Sequence, residues 1–253
     1  MRTTAWARTW SVMRLAMAAL IAAAVIAQLT HTIQIAGDAG RDVSTTVANF
    51  FSFFTILSNI AAAVVIACAA IWWFARGRHA AAEPALLALA LASVTTYMII
   101  TGIVYNTLLR SVILAPGTTV PWTNEVLHLI APLFLLADLF VGPLRRALPW
   151  RALWAIVAFP IVWVAYTLLR GTLVTNPVTS APYWYPYPFL DPNGPGGWGS
   201  VVFYVVLIAA AVLIVAALVI GWGRRVGRER ELDHESGDHL EDEWREAREA
   251  QLD

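Results

Sequence analysis

Residues 49–73 read NFFSFFTILSNIAAAVVIACAAIWW, an apolar run with no charged side chain. A helix needs roughly 20 residues to cross a hydrocarbon core of about 30 Å, so this run suffices for one membrane span. Its two halves differ. The second is nearly featureless, whereas the first sets Ser52, Thr55, Ser58 and Asn59 among phenylalanines and isoleucines. Polar groups carried into lipid without water need partners, because an unsatisfied one costs a few kcal/mol, on the order of 2 to 7.

Five further runs have the required length, near 12–35, 84–108, 122–142, 151–170 and 198–222; the one just described extends over 48–73. The chain of 253 residues is 59% hydrophobic and 13% charged, with mean hydropathy +0.64. That composition excludes an ordinary soluble domain. The expected fold is all-α: a polytopic membrane protein, a six-transmembrane-helix bundle over 1–222 followed by a charged cytoplasmic tail, 223–253. The first run is too long for the apolar core of a secretory signal and is expected to stay as a span. Cys68 is the only cysteine, so no intramolecular disulfide forms, and its midhelix position suggests plain packing. The net charge of zero conceals a strong polarity along the chain, with most charge in the loops and the last thirty residues, and decides nothing; no nucleic-acid partner is expected.

Arginine placement sets the expected orientation. With the N terminus inside, the cytoplasmic segments hold Arg2, Arg8, Arg14, Arg76, Arg78, Arg145, Arg146, Arg151 and six in the tail, and the opposite side holds Arg41, Arg110 and Arg170. This bias places both termini in the cytoplasm. Tryptophans near the ends of the runs, such as Trp72, Trp150 and Trp222 inside and Trp122, Trp184 and Trp198 outside, agree with the same boundaries.

Two segments fall outside the spans. The outer loop 171–197 ends in APYWYPYPFLDPNGPGG, whose prolines break helices and whose aromatics favour the headgroup region. It reads either as a lid over the bundle or as an interfacial anchor for the flanking helices. In the tail, Asp238 and Glu241 have capping-box spacing, and Leu240, Trp244 and Ala247 would share one side of a short helix. The main expectation there is a solvated, partly disordered segment.

Depth then brings polar groups together. Thr55 lies six residues past Asn49, about 9 Å below the outer boundary, and His128 lies six residues past Trp122 on a helix running the same way. His31, Thr101 and Tyr105 are at similar levels on the first and third spans. Thr55 shares a helix face with Ser52, Ser58 and Asn59, while Tyr97, Thr101 and Tyr105 form a stripe. Asn124 at i−4 and Glu125 at i−3 are candidates to orient His128. An outward-opening polar pocket is expected, with polarity confined to the outer half of the bundle. Plainer roles exist for each residue. Hydroxyls in membrane helices mostly bond the i−4 carbonyl or a neighbouring helix, Glu125 reads as a solvated interfacial residue, and Asp138 as a structural partner of another helix.

The motifs FFTILSN (53–59), NEVLHLIAPLFLLAD (124–138) and YPYPFLDP (185–192), taken in order, resemble the androgen-induced-gene family of six-helix membrane proteins, the last motif its bacterial branch. Animal members hydrolyse fatty acid esters of hydroxy fatty acids with an intramembrane Thr and His. The resemblance implies Thr55 as nucleophile, His128 as base, a lipid-like substrate among membrane lipids and residence in a bacterial plasma membrane, with no cofactor and no metal. It says nothing of protein partners. A base near neutral pKa is what a Thr hydroxyl needs for attack, and Asn59, Asn124 and Tyr105 are the expected oxyanion donors. No GxSxG elbow is present. Two other readings stay open: a binding or transport protein with the same pocket, and a haem protein using His31 and His128. Glu125-x-x-His128 has di-metal spacing but occurs once within the spans, where such sites need it twice.

Overall fold

The computed structural model of the chain describes residues 4–112 and 117–249, with side chains described through residue 226. It is all-helical, and six of its helical segments among the described residues are long and apolar enough to span a membrane. These are α1 (Thr4–Asp38), α3 (Phe54–Ala75), α4 (Ala85–Val104) with its extension to Leu109, α5 and α6 (Pro121–Glu125 and Ala131–Val141) joined by Val126–Ile130, α7 (Ala152–Gly171) and the first thirty residues of α8 (Gly197–Glu249). A short α2 (Val43–Phe50) precedes α3. Helix α4 is central, packing on α3, α6, α7 and α8, while α1 packs on α3.

The run 48–73 is not one helix. Helix α2 stops at Phe50 and α3 starts at Phe54, with Phe53 extended between them (φ −72°, ψ 130°). Ser52 explains the break: its hydroxyl bonds the Ala48 carbonyl at 2.7 Å and meets the Tyr166 hydroxyl at 3.0 Å, while its own carbonyl accepts from Trp163 Nε1 at 3.0 Å. Side-chain competition for backbone groups disfavours a helix interior, and two α7 aromatics satisfy the opened turn. Asp42 caps the other end of α2, accepting from the Ser44 and Thr45 amides. The Ser44 and Thr45 hydroxyls, each donating to it at 2.6 Å, and after them the amides hold its carboxyl at about 2, below its ordinary range.

The inner half of the bundle is not featureless. Asp138, fully buried on α6, accepts from Trp10 Nε1, from Arg14 Nε at 2.7 Å and Nη2 at 3.0 Å, and from Arg145 Nη2 at 2.8 Å. Glu83 lies 3.7 Å from Arg14 and is buried with it. Two guanidinium and two carboxylate groups therefore form a neutral cluster that ties α1 to α6 and to the loops before α4 and after α6. The structural role expected of Asp138 holds. Arg14 and Arg145, expected only as topology markers, turn out to be buried partners.

Two further expectations change. Cys68 is exposed on the bundle's outer surface instead of packed. Helix α8 continues unbroken to Glu249, so no helix starts at Asp238 and the tail backbone is helical as far as it is described. From residue 224 onward the tail has no proline and is rich in Glu and Arg, both good helix formers. The shared side of Leu240, Trp244 and Ala247 lies outside the described side chains, and Arg2 outside the described residues.

Candidate functional site

Thr55 is the second residue of α3. Because α3 begins only at Phe54, Thr55 sits in the first turn of the helix and not a turn and a half into it. Its N–H is one of the donors that a helix start leaves without an intrahelical acceptor. The Tyr187 hydroxyl accepts it at 3.3 Å and meets the Thr55 hydroxyl at the same distance. The phenol is buried, which pushes its pKa up and keeps it neutral, and hydrogen-bonded Thr55 opposes that shift.

The Thr55 carbonyl is also engaged. Ser58 Oγ donates to it at 3.1 Å and Asn59 Nδ2 at 2.9 Å. Asn59 Nδ2 also donates to the Leu127 carbonyl at 3.1 Å, so one nitrogen bridges the backbone of Thr55 to the residue preceding His128. Both amide hydrogens are thereby used. Asn59 cannot serve as an oxyanion donor, and it acts instead as the tie between the two helices. Ser58 meets Thr101 Oγ1 at 3.1 Å, joining α3 to α4.

His128 is displayed by a widened turn. Val126–Ile130 is π-helical, a form rare in proteins and frequent at functional sites. Pro132 is the local cause. It has no N–H for the carbonyl four residues back, and its ring crowds that carbonyl, which belongs to His128. Asn106 Nδ2 fills the gap, donating to the His128 carbonyl at 3.1 Å. Asn106 belongs to a second π-helical turn, Tyr105–Leu109, which continues α4. Tyr105 from that turn stacks on the His128 ring with centroids 3.8 Å apart, and its hydroxyl accepts from Asn124 Nδ2. Close approach is possible because Gly102 faces Pro132: a Cβ there would lie 3.0 Å from the proline ring.

The tautomer of His128 follows from its partner. Nδ1 lies 2.9 Å from the Asn124 carbonyl, which can only accept, so Nδ1 carries the proton. Neutral imidazole then presents its lone pair at Nε2. Asn124 thus orients His128 through its backbone, where sequence spacing suggested its side chain. Glu125 turns away to form a two-pronged ion pair with Arg110 Nη2 at 2.7 and 2.8 Å, half exposed.

Thr55, Tyr105, Asn124 and His128 all line one cavity of about 690 Å³. No direct hydrogen bond joins Thr55 to His128, since the Thr55 hydroxyl is held by Tyr187. The polar groups expected there are joined by much apolar wall surface, from Ile35, Phe50, Phe53, Ile56, Leu109 and Leu127 among others. Polar side chains, among them Gln28, Arg41, Asn49, Thr55, Asn124 and His128, are set between these apolar surfaces, as in sites that orient a largely apolar ligand.

The other candidates fall elsewhere. Ser52 lies in the turn before α3 and points to α7, so it does not share the face of Thr55. Tyr97 likewise leaves its expected stripe and donates to the Ile156 carbonyl on α7 at 2.7 Å. Ser58, Asn59 and Thr101 form the buried layer that ties α3 to its neighbours. His31 bonds the Gly117 carbonyl at 2.6 Å and does not line the cavity, so it is not brought to one site with His128.

The outer loop covers the cavity, as the lid reading expected. Pro177, Val178 and the stretch Trp184–Pro188 contribute wall, and Leu190 is buried beneath. Tyr187 packs edge-on against Phe53 at 5.5 Å and stacks on Phe189 at 5.1 Å. Gly171 permits the loop to turn in, because a Cβ there would lie 2.1 Å from the Tyr185 ring. Tyr187 was not singled out from sequence, although the YPYPFLDP motif contains it. Gln28 was also missed. From α1 its Nε2 donates to the Thr118 carbonyl at 3.2 Å, and its Oε1 accepts from Val120 N at 3.0 Å and Thr123 Oγ1 at 2.9 Å, pinning the start of α5. Its signal was an amide three residues before His31 in an apolar run.

Comparison of the chain with protein-family models, with curated proteins and with solved structures found no match.

Proposed function

We propose that this protein is an intramembrane hydrolase of lipid esters, with Thr55 as nucleophile and His128 as general base. Its membrane is proposed to be a bacterial plasma membrane, with both termini cytoplasmic on the strength of the arginine bias. The observation that carries the reading is the pairing, in one largely apolar cavity, of a threonine hydroxyl at a helix N-terminus with an imidazole whose Nε2 is left as acceptor. Resemblance to the androgen-induced-gene family supplies the ester of a hydroxy fatty acid as the substrate class.

In the reaction, an ester carbonyl displaces Tyr187 from the Thr55 hydroxyl. His128 Nε2 takes the hydroxyl proton as Oγ1 adds to the carbonyl carbon, and returns it to the alcohol oxygen as the ester bond breaks. Water, activated in the same way, hydrolyses the acyl-threonine. Negative charge developing near Thr55 faces the positive end of α3, a favourable field. Tyr105 is a donor for the oxyanion, because its oxygen accepts from Asn124 and its own hydrogen stays free. One such donor is worth about 3 to 4 kcal/mol in other hydrolases.

The test is labelling of detergent-purified protein by a fluorophosphonate probe. Labelling lost in both Thr55→Ala and His128→Ala supports the proposal. Labelling unchanged in both, or none in the wild type together with no cleavage across a panel of lipid esters, overturns it. The engagement of Thr55 by Tyr187 favours a second reading, a lipid-binding or transport protein with the same cavity. There Thr55→Ala changes ligand affinity and there is no turnover to lose.

A further inference from the structure

Among the described residues, one arginine of the cavity wall has no side-chain partner. Arg41 lies in the loop between α1 and α2 and lines the cavity half-buried, and its side chain has no hydrogen bond or ion pair among the described residues. Its situation contrasts with the other arginine of the wall. Arg110 is neutralised by Glu125 through two bonds and lies over the Tyr105 ring. Neighbouring acids do not answer Arg41 either. Asp42 is turned to Ser44 and Thr45, and Asp191, the one carboxylate of the wall, accepts from the amide and side chain of Asn193 at 2.9 Å each. A guanidinium that is half out of water, with its stem on apolar surface and its donors unclaimed, is a ready receptor for an oxyanion.

The rest of the wall restricts what carries that oxyanion. The same wall includes Phe50, Ile56 and Leu127, which suit an acyl chain and not a hydrated ion. Arg41 and Thr55 line the same cavity of about 690 Å³, whose volume accommodates an acyl chain. We propose that the cavity binds a single-chain anionic amphiphile, a carboxylate or a phosphate head on an acyl chain, with Arg41 as the residue that selects the negative head. The proposal rests on the cavity being a lipid site and holds whether or not an ester is cleaved there.

Binding of radiolabelled tetradecanoate to the full-length protein in neutral phosphatidylcholine nanodiscs tests it, with tetradecylphosphonate and tetradecanol as competitors. None of the three contains an ester, so the outcome is independent of hydrolysis. Tetradecanol should compete on the order of ten-fold more weakly than the better anion, the usual size of a charge-assisted contact at a partly wet site. In Arg41→Gln that difference should vanish while the competition by tetradecanol stays the same, and Arg41→Lys should retain most of it. Whichever anion competes better identifies the head group. Equal competition by alcohol and anions in the wild type, or an anion preference that survives in Arg41→Gln, overturns the proposal.

Discussion

Asp138→Asn tests the buried ionic cluster most directly. The carboxylate accepts side-chain bonds from Trp10, twice from Arg14 and once from Arg145. The amide keeps the shape and one acceptor, yet turns an NH₂ toward guanidinium donors and leaves two arginines against Glu83 alone. Removing one partner of a buried ion pair costs about 3 to 5 kcal/mol because the charge left behind is unanswered, and with four bonds focused on one group the upper half of that range is expected. Equilibrium unfolding in mixed SDS and non-ionic micelles, followed by tryptophan fluorescence, measures the loss. Adding Arg145→Met restores neutrality, so the double variant should be less destabilised than the two single variants together, by about 1 to 3 kcal/mol of coupling. A loss below about 1 kcal/mol in Asp138→Asn, or strict additivity, would refute the view that charge balance holds α1 on α6.

The remaining expectations concern the site and the loops. Pro132→Ala restores an N–H for the His128 carbonyl, relaxes the π-helical turn and rotates His128; ester turnover should fall about ten-fold or more with melting unchanged or raised, and equal turnover would separate the π turn from function. Ser52→Ala should leave turnover within about two-fold, because its hydroxyl faces α7, and it should cost about 1 kcal/mol of stability in the same micelle assay. Gly171→Ala forces a Cβ into the Tyr185 ring at a cost of about 1 to 3 kcal/mol, read as faster proteolysis of the outer loop. The Asp42 carboxyl, held at about 2, should contribute its cap to α2 fully above the ordinary carboxylate pKa and lose it only as pH falls through about 2. An NMR titration midpoint near 4 would show the cap to be unformed.

How far the fold could be read from the sequence depended on the kind of signal. Long apolar runs marked the six spans because length and hydropathy suffice for that. The break at Ser52 escaped because it is held by Tyr166 and Trp163, more than a hundred residues away. Thr55, His128 and Tyr105 meeting in one cavity was legible from depth, which needs only topology and rise per residue. Depth does not report azimuth, however, and so Ser52 and Tyr97 were placed on faces they do not occupy. Counting helical offsets also assumed a 3.6-residue turn, an assumption Pro132 cancels around His128. The buried cluster was hidden because Arg14 and Arg145 carry the same letter as arginines whose placement serves only as a signal of expected orientation.

The bond between Tyr187 and Thr55 has a kinetic side. One phenol oxygen accepts the Thr55 amide and meets the Thr55 hydroxyl, and the same ring seats the outer loop on Phe53. Opening the loop and freeing the hydroxyl are consequently a single event, so any ligand that competes for Thr55 unlatches the cover as it docks. In the hydrolase proposed above, the Thr55 hydroxyl rests against the loop and is released only to a molecule able to take the phenol's place.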